Sequence, residues 1–157
     1  MDLPLHPLVV HAAVVLVPLA AVLVITAVFW ARVRVQVGAV GAVLALLGTV
    51  SFFVAHRSGS ALAEIVGTPY EHMAWADPAL AAAIVFGVLA VAWYVQAVLL
   101  HRAAARGTAP ARGRSIAERV TGILASVAGV VACVFTFLVG HSGAEEVWSG
   151  VAAAVAA

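Results

Sequence analysis

Leu5-His6-Pro7-Leu8-Val9-Val10-His11 opens an apolar run that continues to Trp30, and it sets two histidines at the mouth of a segment long enough to cross a membrane. Three more such segments follow. The first runs from about Leu8 to Trp30, the second from Val37 to His56, the third from Ala79 to Leu100 and the fourth from Val120 to Val139. Each is near the roughly 20 residues that a helix needs to span hydrocarbon. The first is too long for a signal-peptide core, has no basic residue before it and is followed by Arg32 and Arg34, so it is read as retained. The expected fold is all-α, a four-helix transmembrane bundle forming one membrane domain over residues 1–157. Its helices are expected at about 7–31, 36–57, 69–101 and 116–141, with a short amphipathic outer segment at about 60–66.

Composition agrees. Of 157 residues, 65% are hydrophobic and 10% charged, and a mean hydropathy of +1.14 lies far outside the range of a soluble domain. The expected location is a bacterial plasma membrane, crossed several times; the lysine-free, arginine-containing composition suggests a GC-rich genome. A chain this short is too small to form an inverted-repeat transporter by itself. One cysteine, Cys133, rules out an internal disulfide and reads as a small apolar filler.

The arginines set an expected orientation. Arg32 and Arg34 lie between segments one and two, and Arg102, Arg106, Arg112, Arg114 and Arg119 between segments three and four, leaving Arg57 for the other side. The positive-inside rule makes both basic loops cytoplasmic and puts both termini on the outer side. Asp2, Glu64, Glu71, Asp77, Glu145 and Glu146 then fall outside, and Glu118 joins the basic loop. Trp30 and Trp93-Tyr94 are expected toward the inner interface, and Trp75 and Trp148 toward the outer one. The basic 102–119 loop reads as a positive-inside anchor, with anionic headgroups or an acidic partner as the alternative.

Local signals refine the helices. Gly59 reads as the end of helix two, and Thr68-Pro69-Tyr70-Glu71 has the capping-box pattern with proline at the first helical position. Pro18 breaks the ladder of helix one below His11, and Asp77-Pro78 marks a bend in helix three. Gly38, Gly41, Ala45 and Gly48, with Gly122, Ser126 and Gly129, put small residues at helical spacing for close backbone approach; a groove for a flat cofactor is the alternative. Thr26, Thr49, Ser51, Gln96, Thr121, Ser126 and Thr136 are too mild and scattered for an ion path and are expected to bond to backbone or to neighbouring helices.

Five of the six histidines, His6, His11, His56, His72 and His141, fall at the outer helix ends, and His101 falls at the inner end. Imidazole is a good ligand for transition metals and haem iron, and nothing else in the chain makes a comparable cluster. His11 lies about one turn into an apolar helix, so it is expected to face the bundle and find a partner there. His6 would point some 140° away from it on a continuous helix, and shares its site only from a non-helical cap before Pro7. His141 stands between Gly140 and Ser142-Gly143, which leaves room for a planar group or simply ends a helix. His56 and His101 flank Arg57 and Arg102 at helix ends, where interfacial histidines are common. The candidate ligands are therefore His11, His72, His141 and His6. Glu71, Glu64 and Met73 stand near His72 in sequence as further donors. No Gly-rich phosphate loop, CxxC, CxxCH, HExxH or GxSxG is present, which leaves nucleotide binding, c-type haem attachment and hydrolase chemistry without a motif.

Leu3-Pro4-Leu5-His6-Pro7-Leu8-Val9-Val10-His11, the stretch from Ser58-Gly59-Ser60-Ala61-Leu62 through Glu71-His72, and Gly140-His141-Ser142-Gly143-Ala144 followed by Trp148 together resemble the DUF2231 family of small bacterial predicted membrane proteins. The likeness covers most of the chain. It places His6, His11, His72 and His141 in family motifs, and His56 and His101 outside them. Related domains resemble modules attached to Rieske or c-type cytochrome domains, an association that points to membrane electron transfer. Histidines on facing helices of a four-helix bundle are also a common way to hold b-type haem.

The expected function is a redox subunit with haem b near the outer face between two of His11, His72 and His141. It would pass electrons between a membrane quinone and an extracytoplasmic redox protein, with the lipid bilayer as its surroundings and no nucleic acid as partner. The alternatives are a copper, zinc or iron ion held by three or four imidazoles, and a non-catalytic assembly subunit. Whether the chain is an enzyme, and whether it self-associates, stays open.

Overall fold

In hydrocarbon a backbone N–H or C=O finds no water, so each apolar segment must satisfy its own ladder and becomes helical. The computed structural model describes residues 5–67, 70–108 and 112–156. It holds helices α1 (Leu5–Phe29), α2 (Arg34–Val66), α3 (Tyr70–Ala105) and α4 (Arg112–Ala156). All four are long and apolar enough to span a membrane. They alternate in direction, and each packs on the next, with α4 returning to α1. One end of the bundle, the histidine end, carries the starts of α1 and α3. The other, the loop end, carries their finishes.

The bundle is small inside and large outside. Its buried residues are mostly alanine and glycine, whereas Val15, Val22, Leu46, Phe53, Val88, Val130 and Phe137 stand exposed around its perimeter. That distribution suits helices in lipid, where association comes from close backbone packing and bulky apolar side chains face the tails.

The buried positions also reveal an internal repeat. Ala13, Val17, Ala20, Ala21, Val24 and Ala27 are buried in α1; 66 positions on, Ala79, Ala83, Phe86, Gly87, Ala90 and Trp93 are buried in α3. Gly38, Gly41, Ala42, Ala45, Gly48 and Phe52 are buried in α2; 84 positions on, Gly122, Ala125, Ser126, Gly129, Ala132 and Thr136 are buried in α4. Hairpin α1–α2 therefore repeats as hairpin α3–α4, in the same direction, as parallel repeats in membrane bundles do. Bulk in one half meets smallness in the other. Trp93 corresponds to Ala27 and Phe86 to Ala20, and each large ring lies against glycine: Trp93 against Gly38 and Gly122, Phe86 against Gly129.

At the loop end the repeat carries opposite charges. Arg34 and Glu118 occupy equivalent positions and approach to 3.6 Å. Glu118, 4% exposed, also accepts a 2.9 Å hydrogen bond from Trp93 Nε1. Arg34 Nη2 donates to the Val28 carbonyl at 3.0 Å, so one guanidinium serves both an orphan carbonyl at the end of α1 and a carboxylate on α4. Trp93 is thus buried in the core, where the sequence suggested an interfacial ring. The indole needs an acceptor once buried, and the glycines give it space.

Two helix ends differ from expectation for one reason. α2 passes through Gly59 to Val66 as one helix and absorbs the separate segment expected at 60–66; α4 continues past 141 to Ala156. Gly59 and Gly143 are packing glycines, as described below, and α2 stops instead at Gly67, whose φ of +100° suits glycine. α1 and α3 begin at Leu5 and Tyr70, and α3 runs four residues beyond its expected end. Pro18 and Pro78 lie inside continuous helices. The expected cap Thr68-Pro69, residues 109–111 and the opening residues 1–4 lie outside the described residues. Thr26, Thr49, Thr121, Ser126 and Thr136 bond to the carbonyl four residues back, Thr49 also to the Ala83 carbonyl of α3. Gln96 bonds to the Ala92 carbonyl and to Thr121.

Glu118→Ala leaves the Trp93 indole without its buried acceptor and should cost about 1–3 kcal/mol. Glu118→Gln keeps an acceptor and should cost less. Thermal unfolding in detergent checks both, and equal midpoints for wild type and Glu118→Ala would remove the lock from the account of stability.

Candidate functional site

The seven-residue rows that bury α1 and α3 end at the histidine end in imidazoles. On α1 the row is Ala27, Ala20, Ala13, His6; on α3 it is Trp93, Phe86, Ala79, His72. Both histidines are half-buried, and their rings meet in a T-shaped contact across the bundle, with centroids 6.2 Å apart and planes at 83°. From the Ala27 level to the His6 level is about 30 Å of helix, close to the thickness of a hydrocarbon core. The Arg34–Glu118 pair and the histidine pair therefore stand about one hydrocarbon thickness apart along the bundle.

Each ring sits in a seat built by the second helix of its own hairpin. His6 Nδ1 donates to the Ala55 carbonyl of α2 at 2.8 Å, with Ser58 Oγ 3.4 Å away. His72 Nδ1 donates to the Val139 carbonyl of α4 at 3.0 Å, with Ser142 Oγ 3.4 Å away. The two hydroxyls donate back to their own helices, Ser58 to Val54 at 2.8 Å and Ser142 to Val139 at 3.2 Å. One residue further on stand Gly59 and Gly143, where a Cβ would lie 2.8 Å from His6 Cε1 and 3.0 Å from His72 Nδ1. The pattern of carbonyl, serine three residues on and glycine four residues on is the same in both halves. Because a carbonyl only accepts, both rings carry a proton on Nδ1, the orientation from which histidine commonly binds metal through Nε2.

Beneath the pair stand Ala13 and Ala79, and space remains beside Ala13. A cavity of about 320 Å³ opens on the α2 and α3 side, walled by Phe52, Ala55, Leu62 and Ala76 among others. A groove of about 730 Å³ lies on the α1 and α4 side, walled by Val14, Cys133, Phe137 and Gly140 among others. His6 and His72 line both.

The other candidates are placed elsewhere. His11 is exposed and donates from Nδ1 to the Pro7 carbonyl of its own helix, which corrects the expectation that it faces the bundle. Its depth along α1 was right for burial, but its direction lies about 160° from Ala13, on the far face of the helix. His141 is also exposed; it stacks on Phe137 at 5.7 Å and lies 3.4 Å from Glu145. The space beside it that glycine suggested is at Gly143, and the His72 ring fills it. His11 and His141 do flank the same groove. His56 reaches Asp77 Oδ1 at 2.7 Å, and His101 is exposed at the loop end. Among the described residues no three His, Cys, Asp or Glu side chains gather to hold one metal ion.

The seats predict a sharp difference among glycines. Gly59→Ala and Gly143→Ala should each displace one ring and abolish the slowly exchanging Nδ1–H signal of His6 or His72 in a nitrogen-15 NMR spectrum. Gly140→Ala, where a Cβ meets nothing closer than Val14 Cγ2 at 3.9 Å, should leave both signals in place.

No curated protein and no solved structure matches this chain. A bundle that is small inside and apolar outside is a membrane protein by its own physics, and its family says the same. Residues 2–156 match the model of DUF2231, described as a predicted membrane protein, and the chain belongs to that family.

Proposed function

We propose that this chain is a membrane redox subunit that holds b-type haem between His6 and His72. The observation that carries the reading is the pair itself: two equivalent imidazoles, each oriented by a backbone carbonyl, with ring centroids 6.2 Å apart. Two imidazoles bound to one metal through nitrogen, at about 2 Å on each side, bring their centroids to roughly that separation. The two ends of the repeat contrast in a way that supports a shared ligand. At the loop end equivalent positions are complementary, an arginine and a carboxylate. At the histidine end they are identical, two imidazoles each held by a carbonyl of its own hairpin.

The number of ligands favours haem over a bare ion. Haem iron asks the protein for two axial donors, whereas zinc and copper sites ordinarily take three or four. The apolar walls of the cavity and groove suit a macrocycle. Bound there, haem would supply a one-electron couple between ferric and ferrous iron.

The arginines gather at the loop end, so the positive-inside rule puts the haem near the outer face. The donor in this reading is a bilayer quinol, which gives up two electrons and two protons in one-electron steps, and the acceptor is an extracytoplasmic redox protein. The residues of this chain bind and orient: the Ala55 and Val139 carbonyls aim the rings, and Gly59 and Gly143 let them lie close to their helices.

The test is the visible spectrum of detergent-purified protein, oxidised and then reduced with dithionite, after expression with haem supplied. A Soret band with sharp reduced-state bands is expected in wild type, in His11→Ala and in His141→Ala, and the low-spin signature should vanish in His6→Ala and His72→Ala. A colourless wild type with stoichiometric copper or zinc would replace haem with a metal ion. A protein with neither would leave an assembly role.

A further inference from the structure

Equivalent positions of the two hairpins meet at the axis that relates them, His6 with His72 at one end and Arg34 with Glu118 at the other. The histidine end cannot tell one hairpin from the other. Two α1–α2 hairpins from separate copies would set His6 against His6, and two α3–α4 hairpins would set His72 against His72. Each ring would keep the carbonyl that holds it, because that carbonyl belongs to its own hairpin.

The loop end can tell them apart, by charge and by volume. Trp93 stands on the same axis, since the two glycines that flank it, Gly38 and Gly122, are themselves equivalent positions. A Cβ at Gly38 would lie 3.3 Å from the indole, and one at Gly122 would lie 2.8 Å from its Nε1. The counterpart of Trp93 is Ala27, and both are fully buried, so this layer holds one indole where a like pairing would bring two or none. Two α1–α2 hairpins would face guanidinium with guanidinium beside a pair of alanines. Two α3–α4 hairpins would face carboxylate with carboxylate beside a pair of indoles. Like charges repel where little water screens them, and an overfilled or unfilled layer forfeits the close fit that holds helices together in lipid.

We infer that Arg34 and Ala27 on one hairpin, with Glu118 and Trp93 on the other, are the recognition surface by which the halves select each other. It admits the unlike hairpin, from the same chain or from a second copy, and rejects the like one. The inference goes beyond the haem reading and holds for an empty site. Its consequence is the composition of the site: every histidine pair contains one His6 and one His72. The covalent link favours the hairpin of the same chain by effective concentration; the chemistry of the loop end decides among hairpins that meet in the membrane.

The experiment uses full-length chains, each carrying one of two affinity tags. Arg34→Glu gives a chain two carboxylates at the loop end, and Glu118→Arg gives another chain two guanidinia. Expressed alone, each should yield at least about tenfold less monodisperse protein in detergent than wild type. Expressed together they should recover, and each tag should retrieve the other chain, because exchange of hairpins restores opposite charges at both interfaces. Ala27→Trp with Trp93→Ala tests volume in the same way and leaves every charge in place. Wild type expressed under both tags sets the background of co-purification. Recovery and co-purification in either mixture uphold the inference. Wild-type yield from all four single variants would overturn it, since the surface would then have no part in pairing. It is equally overturned if the variants are lost alone and neither mixture restores yield or co-purification, for these residues would then stabilise the bundle without selecting its halves.

Discussion

Helices in lipid gain little by burying apolar surface against one another, since the tails are as apolar as any side chain. Cohesion must come from close fit, and close fit requires small residues wherever backbones approach. Everything else here is arranged around that constraint. The seven-residue rows of alanine and glycine bring the four helices together, Trp93 and Phe86 each use space that two or more small residues vacate, and the large aliphatic side chains are left on the outside. Polar groups are admitted only when a partner is already in place, as with Glu118 between Trp93 and Arg34, or the hydroxyls that bond back along their own helices.

The repeat explains why polar chemistry collects at two levels and not along the whole length. Equivalent positions of two hairpins must approach each other near their common axis, so whatever stands there faces its own counterpart. Alanine facing alanine leaves space, alanine facing tryptophan fills it, arginine facing glutamate neutralises it, and histidine facing histidine leaves a pair of like donors. One geometric relation, applied to different residue pairs, produces a closed end, a packed middle and a candidate site.

Much of this was legible in the residues. The four apolar runs gave the helices, the small residues their packing, and the mild hydroxyls their backbone partners. The site was legible only in part, because burial was judged from depth along a helix and not from direction around it. His11 lies deep enough to need a partner but on the wrong face, whereas His6 and His72 continue the rows Ala27-Ala20-Ala13 and Trp93-Phe86-Ala79 at intervals of seven, and that interval was present in the sequence. Ser58-Gly59 and Ser142-Gly143 looked like helix stops because the side chain that needs each glycine lies on another helix, 49 residues from the Ala55 carbonyl in one case and 67 from Val139 in the other. The recurrence of Ser-Gly in the second helix of each half was the available signal. Glu118 looked like one more charge in a basic loop, and only its position 84 residues from Arg34 identifies it as half of a pair.

Each histidine is hydrogen-bonded within its own hairpin, His6 to α2 and His72 to α4. Hairpins inserted into the bilayer one after the other would therefore arrive with their rings already set, and docking would create only the distance between them. A ligand that bridged the rings, as proposed, would act thermodynamically as a clamp: binding the docked form and not the separated hairpins, it would add its binding free energy to the association of the halves. Occupancy and assembly would then be two faces of one equilibrium.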